Sequence, residues 1–317
     1  MKPNFLKTPF EEEIKDIGLL IKNIEAEIHQ TQKGLQKTES LERLKELYKT
    51  YQGDDEIISS LELAEEIKNE KEEYKITTGW SGLDNIIGGF RLGQIITISG
   101  ITKHGKTSFC IDLTNKTPEE KPVWFPLEEG AKELIRKFIE RGENPPIFYT
   151  PRSVKLYNLQ WIEMKIIESI AKHGSKIVFI DQLDFIVAIS GDDHHLRIGQ
   201  TMRELKRLAV KWNIVIVLLC HLRKTRLDIN PDLDDLKGSG SIAQESDTVV
   251  ILWRETVREN NEIIITNNTN VSVQANRRFG KTGNIKMVYR DGHFREEEFS
   301  SYRQVQAEAN KAFEEAV

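Results

Sequence analysis

GITKHGKT, residues 100–107, is the stretch that decides the fold. It matches the pattern G-x-x-x-x-G-K-[ST] at every fixed position, follows the strand-like run 94–99 and precedes a helix predicted to begin at Lys106. The glycines allow backbone amides to approach phosphate oxygens closely, and the helix N-terminus adds partial positive charge. The sequence therefore predicts a phosphate-binding loop between a strand and a helix.

The residue types in this loop indicate how a nucleoside triphosphate would be held. Lys106 is expected to reach the β- and γ-phosphates of ATP, where it acts in catalysis as well as in binding. The Thr107 hydroxyl is expected to be a ligand of Mg²⁺. The residues expected to surround the nucleotide are Gly100, Thr102, Lys103, His104, Gly105, Lys106, Thr107 and Ser108.

Two further strand-like runs end on acidic residues. One hydrophobic run ends at Asp181, which we expect to hold Mg²⁺, with Asp184 as a weaker candidate. An earlier run ends in two acids, of which Glu128 is the predicted base that orients the attacking water and Glu129 is the alternative. Because the carboxyl ends of parallel strands face the same edge of a sheet, these acids are expected to meet the phosphate-binding loop.

The order of secondary-structure patterns predicts the fold class. From residue 76 onward, strands alternate with helices, which is typical of an α/β fold with a mostly parallel twisted sheet flanked by helices. Upstream, five isoleucines between residues 14 and 28 share one helical stripe, and Ser59 with Glu62 forms a capping box. This region is predicted to be a helical arm, packed on its own ATPase domain or docked on a neighbouring subunit. The predicted boundaries are 1–74 for the arm and linker, 75–299 for the ATPase domain and 300–317 for a C-terminal helical tail.

Composition excludes several classes of protein. A hydrophobic content of 38% fits a folded domain rather than a disordered chain, and no apolar run approaches the roughly 18–20 residues of a membrane span. The first residues lack the apolar stretch of a signal peptide. Cys110 and Cys220 lie in apolar runs and are predicted to be buried thiols in a reducing cytosol. A cytoplasmic location is therefore expected, with a phage or plasmid origin or an organellar matrix left open.

Motifs on both sides of the loop resemble those of the DnaB-like replicative helicases. Residues 77–90 are similar to the start of a RecA-like domain, and Leu127-Glu128 resembles a Leu-Glu pair of the family. Residues 205–224 are similar to its helix, strand and sensor segment. Residues 235–247 and 276–283 resemble its DNA-binding loop and its finger segment.

This resemblance, closest to the DnaB, Twinkle and phage primase-helicase group, implies a homohexameric ring that moves along single-stranded DNA using ATP. It implies that His221 senses the γ-phosphate and that Arg278 reaches the next subunit's site as a catalytic arginine finger. It also implies that a glycine-rich loop contacts the DNA backbone without reading bases. The residues of that loop are Lys237, Gly238, Ser239 and Gly240.

The chain departs from the family pattern at several places. His221 stands where DnaB has Gln, and Asn276 replaces a Lys, so Arg277 becomes a candidate to supply the missing charge. The large N-terminal domain through which such helicases bind primase has no counterpart in the sequence. A primase or a helicase loader nevertheless remains a candidate partner, whereas a membrane does not.

A second function fits the same fold. RecA-like ATPases also regulate or remodel protein partners and recombination intermediates, as clock ATPases related to KaiC do. The loop around Lys237 and the finger Arg278 favour the helicase. A binding scaffold with a degenerate site is disfavoured because Lys106, Thr107 and Asp181 are all present.

Overall fold

The structure is a computed structural model in which residues 22, 42, 45, 59–69, 74–141, 145–156, 158–187, 194–222, 230–236, 239–259 and 262–297 are described. The contacts between Cα atoms separate the chain into two units. One unit comprises Met1–Glu73 with Ile167–Gly174, and the other comprises Tyr74–Ile166 with Ser175–Val317. The predicted boundaries at 74/75 and 299/300 stay predictions, and the predicted tail 300–317 lies outside the described residues.

In the first unit, helix α1 spans Ser60–Asn69. Its start is the predicted capping box: the Glu62 amide donates to Ser59 Oγ at 3.2 Å, and the Ser59 amide donates to Glu62 Oε2 at 2.8 Å. Leu61, Leu63 and Ile67 are exposed on this helix. The isoleucine stripe between residues 14 and 28 falls outside the described residues.

The second unit holds an eight-stranded sheet, which confirms the predicted α/β class. Among the described residues the strand order is β10-β9-β8-β7-β3-β6-β5-β4, and β1 and β2 form a separate antiparallel pair. Strands β4, β5, β6, β3 and β7 are parallel, whereas β8, β9 and β10 continue the sheet in antiparallel fashion. The strands are β1 Lys75–Ile76, β2 Phe90–Arg91, β3 Ile95–Gly100, β4 Val123–Pro126, β5 Ile177–Asp181, β6 Val215–His221, β7 Thr248–Glu259, β8 Glu262–Asn276, β9 Gly283–Arg290 and β10 His293–Glu296.

The parallel strands form where the sequence carries short β-branched runs. All residues of β3 and β5 are buried, as expected for strands covered on both faces. Within residues 74–297, as far as they are described, the α-helices are α2 Ser81–Ile87, α3 Lys106–Lys116, α4 Ala131–Ile139, α5 Leu159–His173, α6 His194–Lys211 and α7 Ser239–Glu245. Cys110 and Cys220 are buried and free, as predicted, and burial raises the pKa of both thiols.

Contacts from the C-terminal strands fix helix α3, which carries the phosphate-binding residues. Its buried Asp112 accepts hydrogen bonds from the amide of Phe294 at 2.6 Å and from Arg141 Nη1 at 3.0 Å. Phe109, on the same helix, stacks on Trp80 with 4.5 Å between ring centroids. Helix α3 is therefore held at Asp112 by residues about 30 and 180 positions away in sequence, which limits the movement of the helix.

Strands β7 and β8 are longer than the sequence predicts. Periodicity indicates strands at 248–253 and 270–276, but the two continue as a ribbon to Glu259 and back from Glu262. Ladder pairs such as Val257↔Ile264 lie in this extension. The missed part contains Asn267-Asn268, which have low β-propensity, so cross-strand pairing rather than local preference sets the strand here.

Candidate functional site

Residues 100–107, here named the phosphate loop, connect β3 to α3 through a narrow turn. A Cβ atom added at Gly100 would lie 2.2 Å from the carbonyl oxygen of Leu252, so only glycine fits beside β7. Gly105 has φ 97° and Lys103 has φ 67°, both in the left-handed region. The loop geometry thus requires the glycines of the motif, and it leaves Thr102 and Lys103 exposed.

Lys106 is buried at the first position of α3. Its Nζ donates to the carbonyl oxygen of Gly100 at 2.9 Å and to that of Ile101 at 3.4 Å, so the ammonium lies over the loop. Burial lowers the pKa of Lys106, while the nearby carboxylates of Asp181 and Glu128 raise it. A buried cation facing acidic neighbours is suited to bind an anion of higher charge.

The two predicted metal ligands are in contact. Thr107 Oγ1 donates to Asp181 Oδ2 at 2.9 Å, which joins α3 to the end of β5. Burial raises the pKa of Asp181 to about 6; the Thr107 hydrogen bond lowers it, and the charge of Glu128 raises it. A hydroxyl and a carboxylate that is costly to ionise in isolation form an oxygen donor pair that fits Mg²⁺, because a cation would favour the charged carboxylate.

The structure separates the two candidate bases. The amides of Leu127 and Glu128 donate to the carbonyl oxygen of Asp181 at 2.7 and 3.1 Å, so the end of β4 is tied to the metal-ligand position. Glu129 forms a close ion pair with Lys137 on α4. The Glu128 carboxylate makes no ion pair or hydrogen bond within the described part of the chain, and partial burial and Glu129 raise its pKa. Geometry therefore favours Glu128 over Glu129 as the base.

His221, the predicted sensor, ends β6 directly beside the loop strand. It is opposite Gly100 in the parallel ladder, and its Nε2 lies 2.7 Å from Gln182 Nε2. Gln182, which follows Asp181 and is buried, is not among the residues predicted from the sequence. Its position directly after an acid that ends a strand is the signal that could have identified it. The phosphate loop, Asp181 and His221 meet where the parallel strands β3, β5 and β6 end, and we name this side of the sheet the carboxyl edge.

His104 is oriented differently from its neighbours in the loop. Its buried Nδ1 accepts a hydrogen bond from the amide of Arg254 on β7 at 2.9 Å. Burial, together with Arg254 and Lys106, lowers the pKa of His104 to about 4, so the ring is neutral near pH 7. The imidazole thus fixes the loop to the sheet, and the His104 amide donates to the carbonyl oxygen of Ile101 at 3.1 Å. The predicted contact of His104 with the nucleotide stays a prediction.

Residues 277–282, which we name the finger turn, lie at the opposite edge of the sheet, on the side where the parallel strands begin. Strand β8 ends at Asn276, which is paired with Thr248, and Thr248 is paired with Ile96 near the start of β3. The phosphate loop begins four residues farther along β3, at least about 13 Å away along the strand direction. Arg278, exposed in this turn, is therefore distant from the phosphate loop of its own chain.

Asn276 and Arg277, which precede Arg278, have structural contacts that the sequence did not reveal. Asn276 is buried, and its Nδ2 donates to the carbonyl oxygen of Ile86 at 3.1 Å. Arg277 Nη1 lies 3.6 Å from Asp247 Oδ1, and its Nη2 donates to the carbonyl oxygen of Gln244. The prediction that Arg277 replaces the missing lysine charge is therefore disfavoured, because its guanidinium is engaged within its own chain.

The predicted DNA-binding loop is only partly described. Lys237 and Gly238 lie outside the described residues, and Ser239 and Gly240 belong to the first turn of α7 rather than to a loop. On the nearby basic helix α6, two lysines are paired with acids: Lys206 contacts Asp247 at 2.7 Å, and Lys211 contacts Glu163 at 3.1 Å. In the helices described, none is long and apolar enough to cross a membrane.

Comparisons with known proteins agree with this geometry. The chain is 24% identical to the replicative DNA helicase DnaB of Haemophilus influenzae in an alignment of 286 residues that covers 74% of this chain and 61% of that protein. It is 24% identical to the replicative DNA helicase DnaC of Bacillus subtilis in an alignment of 274 residues that covers 74% of this chain and 59% of that protein. The chain thus spans about three fifths of the length of these relatives.

Solved structures share the fold. A solved ATPase domain superposes with a TM-score of 0.62 at 22% identity, covering 75% of this chain and 97% of that domain. A DnaB-like replicative helicase, solved in a study of its interactions with primase, gives a TM-score of 0.62 at 21% identity, over 90% of this chain and 75% of that one. The model of the DnaB-like helicase C-terminal domain family matches residues 75–147 and 139–298. The chain therefore belongs to the DnaB-like helicase C-terminal domain family.

Proposed function

We propose that this chain is the motor of a replicative DNA helicase, which hydrolyses ATP with Mg²⁺, assembles as a homohexameric ring and moves along single-stranded DNA. The observation that carries the proposal is the contact of Thr107 with Asp181 at 2.9 Å beside the buried Lys106. Family membership supports the same activity.

At the carboxyl edge, each side chain has a defined task. Lys106 binds the β- and γ-phosphates, and the amides of the phosphate loop surround their oxygens. Thr107 and Asp181 supply the oxygen ligands for Mg²⁺, which neutralises charge on the transferred phosphoryl group when bound. Glu128 takes a proton from the attacking water, and its raised pKa is closer to the working pH than that of an ordinary glutamate.

The proposed ring is supported by the distance between the finger turn and the phosphate loop of the same chain. Arg278 is at the opposite edge of the sheet, so it acts on the nucleotide of an adjacent subunit. A head-to-tail interface of this kind closes into a ring when the rotation between subunits is regular. His221, linked to Gln182, reports the presence of the γ-phosphate to the rest of the carboxyl edge.

DNA binding is assigned to Lys237, Gly238, Ser239 and Gly240, where α7 begins. Lys237 neutralises a phosphate, and the glycines allow the backbone to approach the strand. A primase or a helicase loader is a further candidate partner, supported by a structural neighbour that was studied with primase. The arm before residue 74 is proposed to dock on an adjacent subunit, with the exposed Leu61, Leu63 and Ile67 as its contact side chains.

The test is the ATPase rate of the purified chain with and without oligo(dT), alongside its mass in solution. We expect a hexamer whose turnover rises on adding the oligonucleotide. In Lys106→Ala, turnover should fall at least about 10²–10³-fold, as for loss of a charge-stabilising group. Lys75→Ala, which removes an exposed lysine on β1 outside the phosphate loop, is the matched control. An ATPase rate that oligo(dT) leaves unchanged but that a protein partner raises would instead support an ATPase that remodels protein partners.

A further inference from the structure

A buried ion pair joins the two helices that follow the phosphate loop and the proposed base. Arg141 lies two residues after the end of α4, and its side chain is 8% exposed. Its partner Asp112, on α3, has a side chain that is 3% exposed. Arg141 Nη1 donates to Asp112 Oδ1 at 3.0 Å and to the carbonyl oxygen of Ser108 at 3.3 Å. Both contacts therefore connect the segment that follows β4 to the helix that follows β3.

On the side of α3, the ion pair lies close to the proposed magnesium ligand. Ser108, whose carbonyl oxygen accepts one of the bonds, follows Thr107 directly. Asp112 also accepts a hydrogen bond from the amide of Phe294 at 2.6 Å, and its Oδ1 lies 2.9 Å from His293 Nδ1. Because strand β10 as well as α3 holds this carboxylate, the acid is a fixed reference point for the ion pair.

On the side of α4, one short helix separates the ion pair from the proposed base. Glu128 stands three residues before α4, whose 9 residues span about 14 Å at 1.5 Å per residue. The amides of Leu127 and Glu128 hold the turn before the helix to the carbonyl oxygen of Asp181. The direction in which the chain leaves this turn, and with it the orientation of Glu128, follows the direction of α4.

Two kinds of contact hold α4 in place. Leu134 and Phe138 are buried on the core side of the helix, and Phe138 stacks on Phe148 with 4.7 Å between ring centroids. Burial of apolar surface is non-directional, so it keeps the helix on the core without fixing its exact position. A charge-assisted hydrogen bond fixes a distance and an angle. The bonds of Arg141 therefore set the position of the end of α4 relative to α3.

We propose that Arg141 is a positioning residue, whose ion pair with Asp112 holds α4 where Glu128 faces the γ-phosphate bound by Lys106. This inference rests on the proposed function, in which Glu128 is the base. A catalytic group that is displaced by about 1 Å can lose about 10²-fold in rate, so a contact remote from the reacting atoms can control turnover. Arg141 bonds neither Lys106 nor the hydroxyl of Thr107, so its loss leaves the groups that bind the nucleotide in place.

The ion pair can be removed as a unit. The attraction between two buried charges is offset by their loss of hydration, so replacing both partners with uncharged side chains is often neutral for stability. Removing one partner alone leaves a buried charge unpaired and can prevent folding. We therefore pair the single variant Arg141→Met with the double variant Asp112→Asn/Arg141→Met. Methionine keeps the unbranched stem that packs against Gly292.

The first experiment measures turnover at saturating ATP and the affinity for a fluorescent ATP analogue, using the full chain. In the single and the double variant we expect turnover to fall about tenfold or more, with affinity within about threefold of the natural chain. Arg136→Met is the matched control, because it removes an arginine of α4 that is exposed and pairs only with the exposed Glu133 in the described part of the chain. This control should keep the natural turnover.

The decisive experiment repeats the substitutions in the Glu128→Gln background, with single-turnover hydrolysis as the measurement. Once the base is absent, its position no longer matters, so loss of the ion pair should lower the residual rate by less than about twofold. An equal fall in both backgrounds overturns the inference, because a general structural role lowers both rates by the same factor. A fall in ATP affinity as large as the fall in turnover overturns it as well.

The remaining outcomes are also distinct. If circular dichroism shows that neither variant folds, the ion pair is a structural element and the inference is overturned. If the natural chain does not hydrolyse ATP, or if Glu128→Gln is as fast as the natural chain, the proposed function or its base is wrong and the positioning role fails with it. The comparison of the two backgrounds, by contrast, tests the positioning role alone.

Discussion

At the carboxyl edge of the sheet Lys106 and Asp181 are buried and Thr107 is bonded to Asp181, whereas at the opposite edge Arg278 stands in an exposed turn. Lys106, Thr107 and Asp181 are brought together by the parallel strands β3 and β5 of a single chain, which lie on the two sides of β6. Arg278 is presented by an antiparallel ribbon, and its neighbours Asn276 and Arg277 hold the base of the turn. The difference supports the proposal that one edge is assembled within the subunit and that the other acts on an adjacent subunit.

The largest effect is expected for Arg278→Ala, which tests whether the finger turn acts on an adjacent subunit. Its turnover should fall about 10³-fold or more, the range for arginine fingers, while ATP affinity is kept. Mixed 1:1 with Lys106→Ala subunits, it should regain up to about a quarter of the natural rate, because one site in four then combines an intact loop with an intact finger. Lys281→Ala is the control. If mixing adds nothing to the sum of the two variants, Arg278 does not act between subunits.

An effect of similar or smaller size, confined to the carboxyl edge, is expected for Glu128→Gln. Loss of a general base lowers turnover by about 10²–10⁴-fold, and ATP should still bind. Glu129→Gln is the matched control, because it only weakens an exposed ion pair with Lys137, which contributes about 0–1 kcal/mol. Single-turnover hydrolysis and nucleotide affinity measure the two effects. A slow Glu129→Gln beside a normal Glu128→Gln would reassign the base by one residue.

The smallest expected effect is a change in the pH dependence of stability on replacing His104. The pKa of His104 is lowered to about 4 in the folded chain, so between about pH 6.5 and 4 the unfolded state binds the extra proton and stability falls as the pH falls. From pH 7.5 to 5.5 this amounts to about 1.4 kcal/mol. His104→Met removes the titrating group, whereas Asp181 and Glu128 titrate in both chains.

Denaturant unfolding of both chains at the two pH values measures this difference. The natural chain should lose about 1.4 kcal/mol more than His104→Met over that interval. Equal losses would show that the His104 ring is accessible to protons in the folded state, and that it does not fix the phosphate loop to β7.

The fold class, the phosphate loop, the strands that end at Asp181 and His221 and the strand that ends two residues before Glu128 could all be predicted from the sequence. These features are local. A short loop that approaches phosphate needs glycine at fixed spacing, and a buried parallel strand needs an uninterrupted apolar run, so each can be read from a few adjacent residues. Parallel strands then bring their carboxyl ends together whichever helices connect them.

Which polar groups have partners within the chain is seen in the tertiary structure and not in the sequence. It assigned Glu129 to Lys137, His104 to Arg254, Asn276 to Ile86 and Arg277 to Asp247. All but the first of these pairs are separated by tens to hundreds of residues, and they depend on strand order and on the antiparallel return of β8. Hydrophobic periodicity carries no information on either, because it records which face of an element is buried and not which element covers it.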